Sequence, residues 1–197
     1  MPSPTATKKL IDDYLRNPDS LGIASASANF RLVHDAHSGL EHIRMVFNAN
    51  TQIIAAGDNA AKAGGFKMLT LPIGLYVPIA SMFYGSIVGD QTDANNTAGE
   101  IGIGTVVGSG ANATLGAVGA TAENFMEGYT IGNMTAGAAV VIASAVDSGR
   151  EVIGSVSGTT DLYLNLATTF GNYGTAQNIS VVAGSFVDMW FVSMLNT

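Results

Sequence analysis

Along most of this chain, apolar residues recur at every second position in short runs, and Gly, Pro, Asn and Asp separate the runs. A period of two is that of a half-buried β-strand, whereas a helix repeats every 3.6 residues. The clearest case is Leu162, Leu164 and Leu166, alternating with Tyr163, Asn165 and Ala167. Ile43, Met45 and Phe47 alternate in the same way with Arg44 and Asn48. The pattern predicts strands over 30–35, 42–48, 66–71, 74–88, 100–107, 138–146, 151–156 and the run around 162–167. A final long strand or bent pair covers 179–195 and carries the only tryptophan, Trp190. Pro78 cannot donate to a ladder, so the 74–88 strand belongs at an edge or a bulge. Residues 54–63 read as a turn or a single helical turn, 90–99 as a polar loop, and 121–127 as one helical turn. Seven to nine strands with turn chemistry between them define an all-β chain, a sandwich or barrel.

The N-terminus differs. Within 7–16, Leu10, Ile11, Tyr14 and Leu15 fall near one face of a short helix, which Asn17-Pro18-Asp19 stops. A helix of about ten residues does not hold alone in water, so this piece docks on something or serves as an assembly arm. The division expected is an N-terminal arm, 1–27, and a β-sandwich domain, 28–197.

Charge sharpens this picture. Hydrophobic residues make up 47% of the 197, enough for a core, but charged residues only 12%. That is about half the usual share. Seven of the eight basic residues lie in 1–67, while 68–197 hold Arg150 and nine acids, 1 − 9 = −8. A net charge of −7 is the wrong sign for a phosphate-binding surface, so no nucleic-acid partner is expected. Four uncharged stretches are long enough to span a bilayer, but Gly, Pro, Ser, Thr and Asn interrupt them and no basic flank follows. No membrane partner is expected. The absence of cysteine excludes disulfides, thiol nucleophiles and Cys-ligated metals.

Candidate chemistry is sparse. His34, Asp35, His37, Glu41 and His42 gather all three histidines within nine residues. On a strand His34 and His37 face opposite sides, which favours a solvated turn between strands over a metal site. Gly102, Gly104 and Gly108 approach a dinucleotide fingerprint, yet no helix pattern follows to meet a pyrophosphate. Asp90, Asp93 and Asn95 offer oxygens in a loop without the EF-hand pattern. No P-loop, nucleophile elbow or paired carboxylate stands out, so no catalytic, cofactor-binding or metal residue is assigned and no enzyme is expected.

An ordered series of features runs through 71–196: Leu71-Pro72-Ile73-Gly74, Ile101-Gly102-Ile103-Gly104-Thr105, Thr160-Asp161-Leu162-Tyr163-Leu164-Asn165-Leu166, then Gly174-Thr175-Ala176 leading into Ile179-Ser180-Val181-Val182-Ala183 and an aromatic C-terminal strand. In order and spacing the stretch resembles the jelly-roll decoration or cement proteins of tailed-phage heads. The first 60 residues show no motif match. The resemblance implies an antiparallel, jelly-roll-like β-sandwich without catalysis or cofactor. It implies a homotrimer on the capsid exterior that binds the major capsid protein and bridges capsomers. Leu10, Ile11, Tyr14 and Leu15 would then anchor the arm, and Arg16, Arg31 and Arg44 would face acidic capsid surface. A tail or fibre subunit binding a receptor or glycan is the alternative.

Overall fold

In the computed structural model, residues 30–37, 40–54, 61–89, 99–131, 139–145, 152–169 and 178–194 are described. The helix expected within 7–16, its four apolar anchors and Arg16 lie outside these residues, as does the polar loop with Asp90, Asp93 and Asn95. The alternating segments form twelve strands: β1 (Phe30–His37), β2 (Leu40–Phe47), β3 (Thr51–Ile54), β4 (Ala61–Leu71), β5 (Gly74–Gly89), β6 (Gly99–Gly104), β7 (Met126–Ile131), β8 (Ala139–Ala145), β9 (Ile153–Ser155), β10 (Thr160–Thr169), β11 (Ile179–Val181) and β12 (Phe186–Met194). Between β6 and β7 stand one helical turn, α1 (Leu115–Val118), and a 3-10 turn at Ala120–Ala122.

All pairings are antiparallel, and they form two packed sheets. The larger contains β1-β2-β12-β5, with β8 and β9 along the far side of β5 and β3-β11 continuing beyond the bends of β2 and β12. The smaller runs β4-β10-β6-β7. Four nested pairs carry this topology: β2 with β12, β4 with β10, β5 with β8, and β6 with β7, assigned alternately to the larger and smaller sheet. That nesting is the strand order of a jelly roll, two Greek keys wound from one long hairpin. The all-β sandwich expected from the alternation is the fold found.

The inner faces meet in one core. Ile43, Met45, Phe47, Phe83, Val187, Met189 and Phe191 come from the larger sheet, and Leu71, Ile101, Ile103, Leu162, Leu164 and Leu166 from the smaller. Phe30, Phe47 and Phe66 close one part of it, with ring centroids 5.2–5.5 Å apart and two of the three contacts edge-to-face. Each such buried side chain stabilises the fold by roughly 1.5–3 kcal/mol.

Some local details depart from the expectations and others meet them. Of the 54–63 segment, Ile54 ends β3 and Ala61 begins β4, which takes Gly64 and Gly65 into the ladder with β10, while 55–60 lie outside the described residues. β7 is a strand the pattern did not predict; Gly128 and Thr130 dilute its apolar positions. The C-terminal run is the bent pair, β11 and β12, with a turn at 182–185. Pro78 sits in a strand paired on both sides, at a local gap. On one side β9 ends opposite Tyr76 and β8 begins opposite Ser81; on the other the register with β12 shifts between Ala80 and Pro78.

The outer face of the smaller sheet is covered by the β6–β7 connection, residues 105–125. Glycines on β6 permit this contact. A Cβ on Gly104 would lie 2.3 Å from Thr121 O and 2.3 Å from Ala122 C, and one on Gly102 would lie 2.7 Å from Leu115 Cδ1. Gly104→Ala must therefore displace the 3-10 turn, and overpacking of this kind should cost about 2 kcal/mol. Urea denaturation measures it, and an unchanged midpoint would show that the connection is not seated on β6.

Candidate functional site

Titratable and aromatic side chains gather on the outer face of the larger sheet. β2 alternates there: Ile43, Met45 and Phe47 go inward while His42, Arg44 and Val46 go outward. Register places His42 beside Trp190, Arg44 beside Asp188 and Val46 beside Phe186 on β12. On its other side β12 sets Asp188 beside Met82 and Phe186 beside Tyr84 of β5.

Asp188 is the anomaly of this face. Its side chain is 0% exposed, although it points away from the core. Arg44 donates to it twice, from Nε to Oδ1 at 2.7 Å and from Nη2 to Oδ2 at 2.6 Å. His42 Nε2 donates to Oδ1 at 2.9 Å. Burial pushes the Asp188 carboxyl up, but the hydrogen bonds from Arg44 and His42 and their charge outweigh it and hold the group below its ordinary range. Hydrogen bonding to Asp188 raises the Arg44 guanidinium in turn. The fork geometry is the strong, bidentate form of an ion pair.

Aromatic rings extend the cluster both ways. His42 stacks on Trp190 at 4.7 Å with the planes 6° apart. The Arg44 guanidinium lies 4.4 Å from the Phe186 ring centroid, and Phe186 stacks on Tyr84 at 5.2 Å. The result is a continuous strip across β5, β12 and β2: Tyr84, Phe186, Arg44, Asp188, His42 and Trp190. Exposed Val33 and Leu40 and half-buried Val46, Met82 and Val192 lie around it. At the Tyr84 end a shallow hollow of about 290 Å³ opens over the bend between β11 and β12, lined by Gly85, Ser86 and residues 182–185. Among the described residues, no titratable side chain other than Tyr84 lines it. Gly85 is needed there, because a Cβ would meet Ser185 Oγ at 2.1 Å.

This arrangement presents aromatic and apolar surface around a neutralised ion pair. Its one buried carboxylate is occupied on both oxygens, and its cation is spent on that carboxylate. Among the described residues no three His, Asp or Glu side chains gather as a metal site, and no helix is long and apolar enough to cross a membrane. The Gly102–Gly108 segment is the end of β6 and the start of a covering loop.

The sequence-predicted site residues divide. Arg44 is a central member of the strip, but as the clamp on Asp188 rather than an open cation. Arg31 is exposed on β1 and makes no ion pair among the described residues. The sequence marks Trp190 only as the single tryptophan and gives Asp188 and Phe186 no role. Their signal is one acid inside the apolar run Phe186-Val187-Asp188-Met189-Trp190-Phe191, since a charge there needs a partner. No family model, curated protein or solved structure matches this chain.

Proposed function

We propose that this chain is a non-enzymatic virion structural protein, a decoration or cement subunit that binds the exterior of a tailed-phage head and bridges capsomers. The observation that carries the reading is the outer face of the larger sheet. Trp, Tyr, Phe, Met and Arg are the residue types enriched at protein interfaces, and isolated charges are depleted there. Here those types form one strip whose single acid is already neutralised, so covering it costs little desolvation of charge. The jelly-roll strand order and the low overall charge support the same reading, as does the resemblance in 71–196. The partners are the major capsid protein and further copies of this chain, for which the resemblance implies a trimer.

Sedimentation with capsids assembled from the major capsid protein encoded alongside it tests the proposal. The wild type should co-sediment at saturable stoichiometry, and Trp190→Ala should weaken binding at least tenfold, the loss typical of a central aromatic anchor. Absence of capsid binding would overturn it. Binding on a glycan array with no capsid binding would favour a tail or fibre subunit.

A further inference from the structure

We infer that β1 is a self-recognition edge, pairing antiparallel with β1 of a second copy across a two-fold axis at Val33. Among the described residues β1 pairs with β2 alone, over a ladder from Phe30–Phe47 to His37–Leu40 without a register shift. It therefore ends the larger sheet as a regular eight-residue edge. Natural edges are usually protected by Lys, Pro, a bulge or short length, and β1 has none of these. Its charges do not protect it against itself. Arg31 and Asp35 stand two residues either side of Val33. A two-fold perpendicular to the sheet keeps both inner faces on one side, so paired positions must sum to an even number. When they sum to 66, Arg31 of each copy stands opposite Asp35 of the other, and Leu32 opposite His34. Registers centred on residue 31 or residue 35 put like charges opposite each other, which is unfavourable. Arg31, exposed and without an ion pair among the described residues, thus favours one register, and a self-complementary patch is what a two-fold interface requires.

This contact is independent of the capsid reading. It joins copies in pairs, and in a trimeric subunit it would link two trimers rather than close one.

Charge reversal tests it in the full chain, with sedimentation equilibrium as the readout. The wild type should form a species of even copy number, populated in proportion to concentration. Arg31→Asp and Asp35→Arg should each halve its mass, and the double swap should restore it. Because the chain has no cysteine, Val33→Cys gives a unique thiol. Directly opposed residues in an antiparallel pair lie about 4.5–5.5 Å apart at Cα, within disulfide range. Mild oxidation should cross-link this variant to a dimer. A monomer at every concentration, the result if the chain's own N-terminal residues cover the strand, overturns the inference. So does an oligomer whose mass neither reversal changes, or a Val33→Cys variant that does not cross-link.

Discussion

Arg44→Ala is expected to destabilise the fold by about 3 kcal/mol at neutral pH, the lower end for breaking a buried ion pair. The reason lies in what remains. Asp188 would keep its place between β2 and β12 with 0% exposure and only the His42 hydrogen bond. Arg44 itself is 42% exposed, so part of its attraction is screened, and water can enter once the guanidinium is gone. For a chain of this length the loss corresponds to a fall of roughly 6–12 °C in melting temperature. The pH dependence separates this cause from lost packing over Phe186. In the wild type the Asp188 carboxyl is held below its ordinary value. Its contribution is therefore complete above the unfolded value near 4 and is lost as pH falls through the lower, folded value. In Arg44→Ala, burial acts with less opposition and shifts the carboxyl upward, so acidification no longer removes a stabilising interaction. The gap between the two proteins should narrow from pH 7 to pH 3. A constant gap in urea titrations across that range would refute the electrostatic account.

Asn165→Leu is expected to cost about the same, ~3 kcal/mol, by releasing the cover of the smaller sheet. Asn165 is fully buried on the outer face of β10. Its Oδ1 accepts from Gly108 N at 2.8 Å, and its Nδ2 donates to Val106 O at 2.9 Å and Ala122 O at 2.7 Å. One side chain thus ties both arms of the 105–125 connection to the sheet. Leucine matches the volume but leaves three backbone groups without partners, each worth about 1–3 kcal/mol if it stays buried. Peeling of the connection into water limits the total. Hydrogen exchange should locate the loss: the Gly108 amide becomes fast, while β10 amides paired to β4 stay slow. Asn165→Asp should be no better, because it sets a carboxylate against the two carbonyls. Wild-type protection at Gly108 in Asn165→Leu would contradict this role.

The fold was legible from alternation because strand periodicity is a local property. Leu162, Leu164 and Leu166 mark an inward face whatever they pack against. The same residues also show the limit. Asn165 between them reads as solvent-facing, yet it is fully buried, because a connection more than 40 residues earlier in the chain folds over it. β7 was illegible because its pairing with β6, and not apolar spacing, makes it a strand. The site was less legible than the fold. His42 and Arg44 alternate correctly with the core residues of β2, but their partner lies 144 residues beyond Arg44. Only the adjacency of the second and last jelly-roll strands brings Asp188 to them.

The sequence alone determined the class of structure, the inward face of most strands and the absence of thiol chemistry, since each depends on residue type and near-neighbour spacing. Tertiary structure decided which outward faces stay open and which are covered, and which charges neutralise one another. An alternating pattern records that a side chain leaves one face of a strand. It does not record what the rest of the chain brings to that face.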